Sequence, residues 1–294
     1  MKKYLNKQLF FETLYKLSII FASLLLLLII IFIFFEGVPA LKEYGVFKML
    51  FNMSWQPTAH EPSFGLSKMI LATIISTLLS LLIAIPIGLL SSVCLVRLVS
   101  RKIKNIIMFI VEILAGIPSV IVGFFVLKTI VAFLYQHFYM NIGVSGNSML
   151  AAVFVLALMA LPTIITITVK ALEAVNPMYT EASLGLGANK IQTIYKVELK
   201  AAKSGIMAAI VLGAGRVIGE TMAVMLVSGN AINISSNLLL PTRTLTANIA
   251  TEMSYASGLH QSALYASGIV LFIMIMLINI TLLIILNKGG GDNA

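Results

Sequence analysis

Nineteen consecutive residues, Leu17 to Phe35, carry no charged side chain. A helix needs ~20 apolar residues to cross a bilayer core, so this run is long enough by itself. Five further apolar stretches lie at about 69–96, 106–127, 149–169, 205–229 and 265–286. Backbone groups in lipid must satisfy one another, which helices do within a single segment. A membrane barrel would instead show ten-residue segments of alternating polarity, and none is present. The sequence therefore predicts an all-α polytopic membrane protein with six transmembrane helices. The Leu17–Phe35 run is not followed by a small-residue cleavage site, so it reads as a retained first span. Composition agrees. Hydrophobic residues make up 60% and charged residues 11% of the chain, against ~45–50% and ~25% in soluble domains. A soluble enzyme or a nucleic-acid-binding module with so few polar side chains could not cover its surface.

The positions of the charges explain the net charge of +9. With the N-terminus inside, the internal segments hold Lys2, Lys3, Lys7 and Lys16, then Arg97, Arg101, Lys102 and Lys104. Lys170, Lys190, Lys196, Lys200 and Lys203 follow, and Lys288 sits in the tail, which places 14 of the 20 basic residues on one side. Lys42, Lys48, Lys68, Lys128 and Arg243 fall outside, and Arg216 lies within a span. Basic residues accumulate on the cytoplasmic side, so both termini are expected in the cytoplasm of a multi-pass plasma-membrane protein, the inner membrane if the cell has two. The chain then divides into a cytoplasmic segment 1–16, a first span 17–35, an external loop 36–68, a five-helix core 69–286 with a cytoplasmic loop 170–204, and a tail 287–294. The external stretch carries Trp55, Pro57 and Pro62 and is read as a short structured cap. Gly289-Gly290-Gly291 is read as a disordered end.

Neither catalysis nor a metal is expected. One cysteine, Cys94, excludes an intrachain disulfide and a cysteine metal cluster. His60, His137 and His260 are far apart, lack HExxH spacing, and read as loop or interface residues. No Gly-x-x-x-x-Gly-Lys-Ser/Thr occurs, so the chain does not cradle ATP phosphates itself, and no cofactor is predicted.

The loop 170–204 is too long for a connector. Asn176 is a good N-cap with Pro177 at the first helical position. Helix formers run on until Gly185 and Gly187, and Asn189 is placed to cap a second short helix with Ile191, Ile194, Tyr195 and Leu199 on one face. Such an element fits either a groove on a cytoplasmic partner or the surface of its own membrane. The pattern Glu181-Ala182-Ser183, three residues, Gly187, nine residues, Val197-Glu198-Leu199 resembles the EAA loop of ABC importer permeases, with Ser183 in place of alanine and Lys200 in place of proline. The resemblance implies the type I ABC importer permease fold. It also implies that Glu181, Ala182, Ser183 and Gly187 couple the chain to a cytoplasmic ATPase.

Charge inside the fifth span is the other informative feature. Arg216 and Glu220 each cost a few kcal/mol at lipid depth. Four residues apart, they would share one face of a continuous helix, as would Gly215 and Gly219, which permit close helix approach. One reading is a structural ion pair. The other is an anion-handling site on the substrate pathway, in which Arg216 supplies charge and planar donors. Glu220 would accept the hydroxyl of a protonated oxyanion, favouring hydrogen phosphate over sulfate. The stretch Arg216 to Asn230 is similar to the fifth span of phosphate-specific ABC permeases of the PstC type, with Thr221-Met222-Ala223-Val224 where the companion subunit usually carries Thr-Ala-Pro. Trp55-Gln56-Pro57 with Phe64-Gly65-Leu66, Leu114 to Val120, and Pro241 to Ala250 agree with that resemblance. It implies a heterodimer with a second permease subunit (PstA type), an ATPase dimer (PstB type) and an external phosphate-binding protein (PstS type).

Gly116 and Pro118 are expected to disrupt the third span, and Pro86 to kink the second or open a backbone position in it. Glu112 is placed near the cytoplasmic end. Three competing functions stay open on the residues: a permease for another oxyanion such as molybdate or phosphonate, an ion-coupled secondary transporter with paired repeats, and a non-transporting membrane scaffold.

Overall fold

The structure is a computed structural model that describes residues 2–139, 146–232 and 237–288. The Gly289-Gly290-Gly291 tail lies outside the described residues. In chain order the main elements are α1 (Lys2–Ala40), α2 (Val46–Phe51), a two-stranded hairpin of β1 (Trp55–Gln56) and β2 (Ser63–Phe64), α3 (Ser67–Arg97), α4 (Arg101–Gly116) and α5 (Ser119–Val126). They continue with α6 (Met149–Glu173), α7 (Pro177–Gly185), α8 (Lys190–Thr193), α9 (Lys203–Gly219), α10 (Met222–Val227), α11 (Leu245–Glu252) and α12 (Leu259–Lys288). Five described helical stretches are long and apolar enough to cross a membrane. A sixth is reached if α9 is counted together with the helix before it, from which it bends by 70°.

Helix α6 is the centre of the bundle. Ala151, Ala152, Val155, Leu156, Ala160 and Ile164 are buried along it, enclosed by α3 on one side and α9 on another. Ile164 sits between two notches. A Cβ on Gly88 of α3 would lie 2.6 Å from its Cγ2, and one on Gly213 of α9 would lie 2.8 Å from its Cγ1. Only bare backbone lets both helices close on this side chain. By contrast, most of α1 is exposed, including Leu24, Leu26, Leu28 and Phe35. It leans on α12 through contacts such as Phe32 against Tyr265, rings edge to face at 5.6 Å. An exposed helical run as apolar as Leu17–Phe35 is what lipid, rather than water, tolerates.

The two ends of the bundle differ. At one end, which we call the hairpin end, α1 runs on past Phe35 through a π turn, Leu41–Gly45, into α2. The hairpin pairs Trp55 with Phe64 and is pinned by the Asn52 amide, which donates to the hydroxyls of Tyr44 and Ser63. The other, basic end carries α7 and α8, with Arg97, Arg101, Lys104, Lys190 and Lys196 in the helix ends and turns around them.

Two spans differ from their sequence boundaries. The third apolar stretch, expected at 106–127, is broken at Ile117-Pro118. Arg101–Gly116 is a separate helix with no buried residue, started by the Ser100 hydroxyl. The apolar crossing is instead Ser119–Phe138, because Pro118 has no N–H to continue the ladder and drives Ile117 into extended geometry (ψ 130°). The fifth, expected as 205–229, stops at Gly219 and restarts at Met222. Pro86 leaves α3 unbroken from Ser67 to Arg97.

Candidate transport and coupling sites

The element at the basic end forms as its residues direct. Asn176 Oδ1 accepts from the Met178 N–H at 3.0 Å to start α7. The helix ends in a Schellman arrangement. The N–H groups of Ala188 and Gly187 reach back to the carbonyls of Ser183 (3.2 Å) and Leu184 (2.9 Å), and Gly187 takes φ +87°. Asn189 then makes a reciprocal capping box with Gln192. Glu181, Ala182 and Gly187 are exposed, and so are Met178, Tyr179, Leu186 and Ile191, leaving an apolar tip with nothing against it among the described residues. Ser183 differs from its three companions. Its hydroxyl meets that of Thr193 at 3.0 Å, so it ties α7 to α8 and faces into the element.

Only half of the face expected for the second short helix packs, Ile194 with Leu199 beside it. Ile194 is buried, while Ile191 and Tyr195 are more than half exposed. A π turn over Ile194–Glu198 widens the helix here, and it carries Glu198 into the interior, where it is 1% exposed.

Arg216 and Glu220 are close in sequence but lie on opposite sides of the helix break. Glu220 has extended backbone (ψ 127°), so the continuous helix face assumed for the pair does not exist. Its Oε1 accepts from the Ala223 N–H at 3.2 Å, helping to start α10, and its carbonyl accepts from the Thr246 hydroxyl at 3.1 Å. No ion pair joins it to Arg216. Among the described residues, half-buried Arg216 has a single long contact, 3.5 Å from Nη1 to the Thr163 hydroxyl of α6. Nothing lies within 4 Å of the Cβ positions of Gly215 and Gly219. The guanidinium thus stands beside an open, bare strip of helix, with most of its five donors unused by the described residues.

A third site joins Trp55, Arg243, Glu252 and His260, which no spacing in the sequence brings together. At the hairpin end Glu252 is buried and fully engaged. Oε1 takes Arg243 Nη1 at 2.6 Å, and Oε2 takes Trp55 Nε1 and His260 Nε2, each at 2.9 Å. Arg243 also donates to the Asn230 carbonyl and to Asn248 Oδ1. His260, expected in a loop or interface, is buried in this cluster. A cavity of about 490 Å³ opens beside it, lined in part by Trp55, Arg243, Glu252 and Tyr255. Partial burial, reinforced by the Glu252 carboxylate and partly offset by Arg243, holds the Tyr255 hydroxyl above the ordinary tyrosine pKa. A signal was available. Arg243 is the sole Lys or Arg between Arg216 and Lys288, and Glu252 the sole acid between Glu220 and Asp292.

Removing one partner of a buried ion pair costs ~3–5 kcal/mol, so Glu252→Ala is expected to lower thermal stability in detergent by that order. Trp55 is the only tryptophan, so its fluorescence reports the loss directly. An unchanged melting curve and unchanged emission would show that the cluster does not hold the hairpin.

The fold and these sites define a helical bundle with apolar, membrane-crossing helices, a charge at a broken helix and an exposed helical element at one end. Residues 84–288 match the family described as binding-protein-dependent transport system inner membrane component. The chain belongs to that family, and like its relatives it is a transport subunit and not an enzyme. It is 34% identical over 250 residues to a probable ABC transporter permease protein, YqgH, of Bacillus subtilis, covering 84% of this chain and 80% of that one. It is also 34% identical over 256 residues to the phosphate transport system permease protein PstC of Mesorhizobium japonicum, covering 81% and 77%. Among solved structures, that of a bacterial alginate ABC transporter shares the fold at a TM-score of 0.61 and 17% identity, over 94% of this chain and 96% of that one.

Proposed function

We propose that this chain is a permease subunit of an ATP-driven phosphate importer that works by alternating access. The observation that carries the reading is Arg216, a guanidinium at a break in the fifth span whose one polar contact among the described residues is long. Its planar donors suit a tetrahedral oxyanion, and the similarity to a phosphate transport permease supports phosphate as that oxyanion. Arg216 and Glu220 line the pathway in this reading. Glu181, Ala182 and Gly187 present the apolar tip to a cytoplasmic ATPase dimer, and Ser183 holds that tip together. A second permease subunit completes the membrane unit, and an external phosphate-binding protein delivers the ion to the hairpin end. Both termini lie in the cytoplasm. The segment 1–16 precedes the first span, 36–68 forms the external cap, 69–286 forms the core around the 170–204 loop, and 287–294 forms the tail.

One preparation tests substrate and orientation together. Sealed right-side-out vesicles holding the assembled complex, energised with internal ATP and supplied with the binding protein, are expected to accumulate labelled phosphate. Excess molybdate or phosphonate should compete poorly. A cysteine at His60 should react with an impermeant thiol reagent directly, and cysteines at Lys102 and Lys196 only after permeabilisation. Equal competition by molybdate would replace phosphate as the substrate, and reversed labelling would overturn the orientation.

A further inference from the structure

The apolar tip of α7 projects away from the bundle, yet a push on it has to reach the spanning helices. Behind the tip, polar contacts run beside an apolar cluster that includes Val93, Leu172 and Ile194. Glu198, carried inward by the π turn, accepts from the Thr180 hydroxyl of α7 at 2.7 Å through Oε1. Its Oε2 lies 2.7 Å from Arg97 Nε, an ionic contact without the alignment of a hydrogen bond. Arg97 belongs to the last turn of α3, and its Nη2 also reaches the Leu172 carbonyl at 3.4 Å, near the end of α6. One buried carboxylate therefore connects α7, the π turn and the ends of the two most central spans. Beside it is a cavity of about 210 Å³ lined in part by Val96, Arg97, Thr180, Leu184 and Glu198, so these groups are not locked by dense packing.

We propose that Thr180, Glu198 and Arg97 are positioning residues for transport. They form the joint through which movement of α7 is passed to the ends of α3 and α6. The proposal rests on the reading of the chain as an ATP-coupled permease. A buried charge cannot leave its partner cheaply, so Glu198 and Arg97 move as one unit. The Thr180 hydroxyl is the bond that engages this unit with α7. Apolar packing alone, such as the cluster of Val93, Leu172 and Ile194, permits sliding, whereas a carboxylate bonded to the Thr180 hydroxyl and paired with the Arg97 charge transmits displacement in register.

The test measures phosphate moved per ATP hydrolysed, in reconstituted complex and normalised to assembled protein. Thr180→Val keeps the shape and the ion pair but cuts the link to α7. It is expected to lower the transport-to-hydrolysis ratio about tenfold in the complex that assembles, the factor one hydrogen bond to a charged group supports, with a small drop in melting temperature from the unsatisfied carboxylate oxygen. Thr180→Ser keeps the hydroxyl and should restore the ratio. Glu198→Ala is expected to lower both the ratio and the amount of complex. A wild-type ratio in Thr180→Val overturns the joint, because a merely structural brace would change only how much complex forms. Absence of ATP-dependent phosphate movement in the wild-type complex would instead overturn the functional reading beneath it.

Discussion

Gly187→Val is expected to reduce ATP-driven phosphate uptake to background while the chain still inserts and folds. There is room for the side chain, since nothing lies within 4 Å of the Cβ position. The obstacle is the backbone. Gly187 ends α7 at φ +87°, a left-handed conformation that costs an L-residue roughly 1–2 kcal/mol and a β-branched one more. Valine therefore unwinds the cap that orients α7 against α8, and the tip loses its shape without any loss of packing in the bundle. Glu181→Lys reaches the same result differently, by reversing an exposed charge next to the tip. Crosslinking separates docking from stability. A cysteine at Leu186, which is 90% exposed, should crosslink to the ATPase subunit in the wild-type background and fail to do so when combined with Gly187→Val. Ser183 is a poor crosslinking position because its hydroxyl is turned toward Thr193. Normal uptake by the valine variant, together with no crosslink from position 186, would remove the docking assignment.

Arg216→Gln is expected to reduce uptake per assembled complex tenfold to hundredfold, as follows from losing a charge-assisted hydrogen bond worth ~1.5–3 kcal/mol. Arg216→Lys keeps the charge but loses the planar fork, and should impair transport while leaving assembly intact. Since Arg216 has no carboxylate partner among the described residues, neither change leaves a buried acid unpaired. Folding should be nearly indifferent to both. Glu220→Gln can still accept from the Ala223 N–H through its carbonyl oxygen, so α10 should start normally. If the carboxylate reads the phosphate hydroxyl, this variant retains partial uptake and discriminates less well against sulfate. A purely structural role for the two side chains forecasts something else: less complex from either single change, and unchanged transport per complex in a double apolar variant. Full transport by that double variant would end the substrate role of Arg216 and Glu220.

The parts of this protein legible in the sequence are those governed by rules acting along the chain. Uncharged runs specified a helical membrane protein, since only lipid is a solvent for such segments and only a helix satisfies its own backbone there. Asn176-Pro177, Gly187 and Asn189 specified the two short helices, because caps act over three or four residues. Pro118 was legible as a break in the same local way, since proline lacks the N–H that would continue the helix. The limit of the same rules appears at Glu220, where the chain leaves the helix at a residue that is neither proline nor glycine.

Other features depended on partners far apart in sequence. Trp55 and Glu252 are 197 positions apart, and Arg97 and Glu198 about half that. No periodicity links such pairs. A charge in an apolar chain has to find its counterion or reach water, but which counterion it finds depends on how the helices pack. Arg216 and Glu220 show the converse. Four residues apart, they read as neighbours, and one extended residue at the end of α9 separates them. Local balances of burial, charge and capping already dictate that this chain crosses a membrane, where its basic residues accumulate and where its short helices begin and end. Tertiary structure alone decided which charges pair, which stay open and which carboxylate connects one element to another, because those outcomes depend on distances set only when the helices close around Ile164 and α6.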